Sequence, residues 1–88
     1  MTMLTVCAVY DSAIHAFGRP IYVPASGAAI RSFQDEVNRD DKDNQLHKHP
    51  DDFELYQLAI FDDETGAYTN DKKALVRAKD LQTPKAQS

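Results

Sequence analysis

The sequence has few of the residues that mark secreted or membrane-spanning proteins. Cys7 is the single cysteine among 88 residues, which excludes an internal disulfide and favours a buried structural thiol in a reducing compartment. No apolar run approaches the roughly 20 residues that cross a bilayer. Residues 1–10 also lack the basic start and the long apolar stretch of a signal peptide. We therefore expect a soluble intracellular protein without a membrane partner.

The chain also lacks a basic excess. Its formal net charge is −4 and its pI about 5.1, whereas domains dedicated to nucleic-acid binding are usually basic. The charge is segregated along the chain, because residues 35–64 carry eleven acidic and three basic side chains. Residues 71–88 carry five basic and two acidic side chains. A local basic patch therefore remains compatible with the acidic balance.

Sequence motifs of common enzymes are missing as well. The chain contains no phosphate loop, dinucleotide-binding fingerprint, Cys-x-x-Cys pair or nucleophile elbow. His47 and His49 lie near aspartates, but neither a cysteine nor a further histidine completes a metal site there. We therefore predict no catalytic activity, no metal and no cofactor.

The clearest structural signal is a helix over residues 27–38. Ala29, Ile30, Phe33 and Val37 recur at spacings of three and four, which places them on one helix face. Ser26 is the expected N-cap, since its hydroxyl can accept a hydrogen bond from the first turn. This apolar face predicts a helix that covers a sheet.

The remaining apolar segments predict short strands. Residues 3–10 and 53–61 are nearly continuous in apolar character, which favours two central strands that pair with each other. Residues 21–23 lie between two prolines, as in an edge strand, and residues 67–70 follow a turn that contains Gly66. Residues 13–19 are assigned to a loop or wide hairpin connection.

These segments together predict an α+β fold with a small antiparallel sheet of three to four strands, in the order β-β-α-β-β, covered by one helix. The expected domain spans residues 1–70. Residues 71–88 are expected to form a basic, partly disordered C-terminal segment.

Several aromatic and basic side chains could contact single-stranded DNA, which needs rings for base stacking and cations along its backbone. Phe17 and Tyr22 flank Arg19 in sequence, and this segment is the preferred location of a site. Tyr10 and Tyr56 are further aromatic candidates, although a position in the core is favoured for both. The predicted nucleic-acid-binding residues are Phe17, Arg19, Tyr22, Arg31, Lys48, Lys72 and Lys73.

Several short motifs occur in an order and at spacings that resemble those of a known family. They are VYDS (9–12), AFGRP (16–20), GAAIRSF (27–33), VN (37–38), KHPDDFEL (48–55) and FDDETG (61–66). This pattern resembles the small nonstructural protein of gokushovirus-type microviruses, which are phages with single-stranded DNA genomes. The resemblance implies a protein of the host bacterium's cytoplasm that binds single-stranded DNA during genome synthesis or packaging.

An alternative role is a protein–protein adaptor that uses no nucleic acid. The acidic stretch over residues 35–64 could dock a basic phage or host protein, and the edge strand around Tyr22 could pair with a partner strand. We also expect a homodimer, because two apolar strands and one helix leave one sheet face without cover.

Overall fold

The computed structural model describes residues 2–83 and shows an antiparallel five-stranded sheet with helices on one side. The strands are β1 (Met3–Asp11), β2 (Ala16–Phe17), β3 (Ile21–Val23), β4 (Phe53–Asp62) and β5 (Tyr68–Arg77). The helices are α1 (Ser26–Val37), α2 (Gln45–Lys48) and α3 (Ala78–Leu81), and a single 3-10 turn spans Pro50–Asp52. The predicted α+β class is confirmed.

The sheet follows the order β2-β1-β4-β5, and β3 also pairs with β1. The prediction that the two apolar strands pair at the centre is confirmed, because β1 and β4 are antiparallel neighbours over their whole length. The predicted strand count and order were wrong. Residues 13–19 contain β2, in which Phe17 pairs with Tyr10 and Ala16 pairs with Asp11, so three strands precede α1.

Helix α1 forms where the apolar period predicted it, with Ala29, Phe33 and Val37 buried. Its start differs by one residue from the prediction. Ser26 is the first helical residue, and Ala25, which has no side-chain hydrogen bond to offer, occupies the N-cap. The N-terminal turn of α1 is therefore stabilised by packing of its apolar face and not by a side-chain cap.

Strand β5 extends well beyond the predicted four residues. The acidic turn after β4 closes a hairpin as expected, with Gly66 at φ 77° and its N–H donating to the Asp62 carbonyl at 2.7 Å. From there β5 pairs with β4 as far as Arg77, so a boundary at residue 70 falls within a strand. Residues 71–83 continue through α3, where Ala78 is fully buried. Residues 84–88 of the predicted C-terminal segment lie outside the described residues.

The hydrophobic core lies between the sheet and the helices. Buried side chains from every layer meet there, namely Cys7, Ala29, Phe33, Val37, Leu55 and Ala78. Burying a side chain as large as Leu55 contributes about 1.5–3 kcal/mol. Side chains from α2 and α3 pack against the same cluster, so the three helices share one side of the sheet. We call this side of the sheet the covered face.

A bulge in β4 determines which side chains lie on the opposite side. Val6 pairs with Ala59, whereas Cys7 pairs with Gln57, so Leu58 has no partner on β1. Because side chains alternate along a strand, the extra residue switches the faces of all residues that follow it. Strict alternation would put Ala59 and Phe61 on the same face as Leu55, whereas the bulge places them on the face of Tyr56.

We call this second side the open face. Within residues 2–83, the buried apolar side chains of the three helices pack on the covered face, and the open face carries no helix. The register places mainly apolar and aromatic side chains on it, together with a few polar and charged ones: Leu4, Val6, Ala8, Tyr10, Phe17, Tyr22, Glu54, Tyr56, Ala59, Phe61, Tyr68, Asn70, Lys72, Ala74 and Arg77. No helix in the described part of the chain has the length and apolar character to span a membrane.

Candidate nucleic-acid interface

Three aromatic rings form the first of two clusters on the open face. Phe17 contacts Tyr10 with ring centroids 4.9 Å apart and Tyr56 with centroids 5.3 Å apart. The Lys72 ammonium lies 5.3 Å from the Phe17 centroid and 5.8 Å from the Tyr56 centroid. A cation over ring faces at these distances is attracted by the ring quadrupoles. We call these four residues the lysine-capped cluster.

The second cluster lies further along the sheet and contains Tyr22, Phe61 and Tyr68. The Phe61 centroid is 4.8 Å from that of Tyr68 and 5.7 Å from that of Tyr22. The two tyrosine hydroxyls share a hydrogen bond of 2.6 Å. We call these three residues the tyrosine-pair cluster, which presents rings together with polar hydroxyl groups.

Small side chains support both clusters from beneath. Val6, Ala8 and Ala59 lie on the open face but are less than 10% exposed, because the surrounding rings cover them. The β1 partners of Tyr22 and Phe17 are four residues apart, which separates the clusters by about 13 Å along the sheet. The result is two groups of rings over one closely packed layer.

The rings remain accessible to a ligand. Phe17 is 37% exposed, Tyr22 47% and Tyr68 56%, whereas the core phenylalanine Phe33 is 5% exposed. All four tyrosines of the protein lie on the open face. Exposed rings on a sheet surface are a platform on which unpaired nucleic-acid bases can stack.

The hydroxyl groups of two tyrosines are held in the protonated form. Burial raises the pKa of Tyr56, and the nearby Glu54 carboxylate raises it further. The pKa of Tyr68 is raised chiefly by its hydrogen bond with Tyr22. Both hydroxyls therefore stay protonated to a higher pH than an isolated tyrosine, Tyr56 beside the Glu54 carboxylate and Tyr68 in its hydrogen bond with Tyr22.

The acidic part of the chain lies mainly on the helix side. Arg39 bridges Glu36 at 2.6 Å and Asp41 at 2.9 Å, just after α1. The hydrogen bond with Arg39 lowers the pKa of Glu36. The pKa of Asp41 is lowered chiefly by the backbone N–H of Asp43 and further by Arg39. The negative charge of residues 35–43 is thus separated from the open face by the thickness of the sheet.

The structure brings together three of the seven predicted site residues on one face. Phe17 and Lys72 belong to the lysine-capped cluster, and Tyr22 belongs to the tyrosine-pair cluster. Arg19 is exposed in the short connection between β2 and β3, at the edge of the same sheet.

The other three predicted residues lie elsewhere. Arg31 is exposed on the outer side of α1, and Lys48 ends α2. Lys73 pairs with Gln57, which faces the covered side. The open face therefore groups part of the predicted set and separates Arg31, Lys48 and Lys73 from it.

Sequence reasoning missed two rings of the open face, Phe61 and Tyr68, and favoured the core for Tyr10 and Tyr56. The bulge at Leu58 decides the face of Phe61, and bulges leave no clear mark in a single sequence. Tyr68 pairs with Phe61 and follows it to the same face. The sequence did contain one signal for an uncovered face of rings. Each ring lies on a strand, and the sequence pattern predicts one apolar helix, which covers one face of the sheet only.

The two histidines that suggested a metal site have other positions. His47 Nδ1 lies 3.0 Å from the Val37 carbonyl oxygen and donates a hydrogen bond to it, which ties α2 to the end of α1. His49 is the C-cap of α2. Among residues 2–83, no three His, Cys, Asp or Glu side chains are grouped to hold a metal ion.

Comparison with known proteins identifies the family to which this chain is similar. The family described as phage ORF5 protein matches residues 4–81. A curated relative, Protein ORF5 of Chlamydia phage 1, is 36% identical over 62 residues, which is 68% of this chain and 65% of that relative. The chain thus aligns with just under two thirds of the relative's length. No solved structure matches. Because the family match spans nearly all described residues, the chain belongs to the phage ORF5 protein family, which confirms the resemblance to a small phage protein.

Proposed function

We propose that the protein binds single-stranded DNA across its open face. The observation that carries the proposal is the pair of ring clusters on a sheet surface without a covering helix, with Lys72 over one of them. Single-stranded nucleic acid is bound by such a combination, because every base has a ring face that can stack and every phosphate attracts a cation. The proposed role is binding, without catalysis or a cofactor.

The expected affinity is modest. Stacking contributes about 1–3 kcal/mol per base, so one base on each cluster supplies about 2–6 kcal/mol. Phosphate contacts from Lys72 and Arg19 add to this. A total near 8 kcal/mol corresponds to a dissociation constant of about 1 μM. The net charge of −4 opposes long-range attraction of DNA, which makes the ring contacts the main source of affinity.

The geometry favours single strands over duplexes. In a duplex the base faces are stacked on one another, so exposed protein rings cannot reach them without disrupting pairs. The clusters are about 13 Å apart, so one strand can place separate bases on both. The genome of a single-stranded DNA phage is produced inside the host, so this function would place the protein in the cytoplasm of the host bacterium.

Intrinsic tyrosine fluorescence provides a direct test. The protein has no tryptophan and all four tyrosines are on the open face, so its ultraviolet emission reports that face alone. We expect an oligothymidine of about twelve nucleotides to quench this emission saturably at low salt. The affinity should fall as salt rises, because bound phosphates release counterions. A matched duplex should quench weakly. Unchanged emission at low salt, with the fold intact by circular dichroism, would contradict the proposal.

A second copy of the chain is the competing occupant of the open face, as the expected homodimer implies. Light scattering over a range of protein concentrations distinguishes a second copy from DNA as the occupant of the open face. A concentration-dependent dimer whose formation is reversed by oligothymidine would mean that both ligands use the open face. A constant monomer mass would reject the homodimer and leave DNA as the proposed occupant.

A protein adaptor is the alternative function, and the acidic helix side supports it. Residues 35–43 place their carboxylates on and after α1, away from the open face, where a basic partner could dock. Capture of phage and host proteins from infected cells, with and without nuclease, separates the two functions. Partners retained after nuclease treatment favour the adaptor, whereas partners lost with the nucleic acid favour DNA binding.

A further inference from the structure

A cleft on the helix side gathers cations from three separate elements. Its volume is about 610 Å³, and it lies between the loop after α1, helix α2 and helix α3. Lys42 comes from the loop, Lys48 from α2 and Lys79 from α3. The first and last of them, Lys42 and Lys79, are 37 residues apart in sequence, so only the tertiary fold brings the three to one concave surface.

The three lysines form no close ion pair within residues 2–83, although the protein carries an excess of acidic residues. Lys48 is nevertheless near enough to Asp41 to help lower the pKa of that carboxyl. The cleft therefore keeps three ammonium groups available for an anion.

Two carboxylates also line the cleft, and one of them is engaged by other groups. Asp41 accepts from Arg39 at 2.9 Å and from the backbone N–H of Asp43 at 3.0 Å. Asp40 is highly exposed at the rim, with one oxygen 3.6 Å from His47 Nε2. The cleft thus contains one carboxylate neutralised by an arginine and a second, Asp40, exposed at the rim, against three ammonium groups outside any close ion pair.

Hydrogen bonds fix the walls of the cleft relative to one another. His47 is bonded to the Val37 carbonyl at 3.0 Å, and its own carbonyl accepts from Gln82 at 2.9 Å. Asn38 donates to the Leu81 carbonyl at 3.0 Å and accepts from the Thr83 N–H at 2.7 Å. These bonds join the ends of α1, α2 and α3, so the lysines project from a preformed surface.

From this arrangement we infer that the cleft binds a phosphate group. Three lysines that line one cleft from different elements suit a compact anion with several oxygens, since each ammonium offers three rotatable donors. The volume exceeds that of one phosphate and lies in the range of small-molecule sites, which leaves room for the sugar and base of a nucleotide. Two sources share this chemistry: a free nucleotide, and a backbone phosphate of the DNA strand.

The binding test uses inorganic phosphate and thymidine 5′-monophosphate as probes on the full chain, followed by amide chemical shifts at constant ionic strength. We expect saturable shifts confined to residues around Lys48, Lys79 and Gln82. At about 10 mM probe a millimolar site is nearly filled. Lys48→Gln and Lys79→Gln should each weaken binding about twofold to fivefold, the range for exposed ion pairs.

Arg31→Gln is the matched control, because it removes one positive charge from the exposed side of α1, outside the cleft lining. It should leave probe affinity unchanged. Each of the three variants alters an exposed side chain, so their amide spectra should show that the fold is kept. Absence of saturable shifts near the cleft, or an equal loss in the Arg31 control, would overturn the inference.

A second arm distinguishes the two phosphate sources by measuring the salt dependence of oligothymidine binding. If the cleft holds a backbone phosphate, each lysine variant should reduce the slope of log affinity against log salt by about 0.7. If it holds a free nucleotide, that slope is unchanged and thymidine monophosphate binds more tightly than inorganic phosphate. Both results support a phosphate site. The first arm needs no DNA, so failure of DNA binding on the open face would leave the cleft to be judged separately.

Discussion

Phe17→Ala is the substitution that most directly tests the open face. The Phe17 ring contacts Tyr10 and Tyr56 and lies beneath the Lys72 ammonium, so its removal opens the centre of the lysine-capped cluster. Loss of one stacked base corresponds to about 1–3 kcal/mol. Since each 1.4 kcal/mol is tenfold in affinity, oligothymidine binding should weaken by about 5- to 140-fold.

The same substitution also affects stability, and this effect must be separated from binding. Aromatic pairs contribute about 0.5–1.5 kcal/mol each beyond the area they bury, so the loss of two pairs costs about 1–3 kcal/mol. Urea unfolding of the variant measures this cost. Affinity should then be compared at a temperature where both proteins are fully folded, with polarisation of a labelled oligothymidine as the readout.

Ile14→Ala provides the matched control on the same hairpin. Ile14 is 69% exposed in the turn between β1 and β2 and belongs to neither ring cluster. Its truncation removes exposed apolar surface without removing a ring, so the affinity should change less than twofold, as for surface substitutions within about 0.5 kcal/mol. Equal affinity of Phe17→Ala and the unmodified protein would refute the stacking model, and so would an equal loss in both variants.

Three further predictions concern charge, hydrogen bonding and pH. Lys72→Gln should reduce the slope of log oligothymidine affinity against log salt concentration by about 0.7, measured by titration at several salt concentrations. Asn44→Ala removes a buried amide that caps α2 and donates to two backbone carbonyls at 2.7 and 2.9 Å. It should cost about 2–4 kcal/mol in urea unfolding, whereas the exposed Asn70→Ala should cost little. Tyr22→Phe removes the hydrogen bond that raises the pKa of Tyr68, so that pKa should fall towards its ordinary value in an absorbance titration of tyrosinate. Because the folded pKa of Tyr68 is raised, the contact stabilises the fold fully below the unfolded pKa and is lost as pH rises through the folded pKa. The variant lacks this linkage, so its stability should fall less steeply as pH rises above the unfolded tyrosine pKa, and an unchanged Tyr68 titration would contradict this assignment.

Local patterns were sufficient for the main elements of the fold. The spacing of Ala29, Phe33 and Val37 located α1, because a helix face must be apolar to pack on a sheet. The two apolar runs located β1 and β4 and their central pairing. Gly66 located the turn between β4 and β5, since its positive φ suits a residue without a Cβ. Each of these features depends on residues that are close together in sequence.

Long-range pairing decided the extent of β5 and the presence of β2. Residues 71–74 are exposed and three of the four are charged, so their sequence has no apolar pattern to mark a strand. They are in the sheet because β4 offers a full-length partner edge. The two residues of β2 are likewise too few to show a period and are defined by their pairing with the end of β1.

The sequence by itself determined the helix, the central strands, the motifs shared with the family and the aromatic residues that could form a site. Only the tertiary structure decided which of those residues share a surface. A single bulge at Leu58 shifts the register of the rest of β4 by one residue, so the side chains that follow it exchange faces. Phe61 and its partner Tyr68 therefore lie on the face that carries Tyr56. The fold likewise brings Lys42, Lys48 and Lys79 into one cleft. Both surfaces arise from strand register and helix packing between distant segments, which local sequence preferences do not encode.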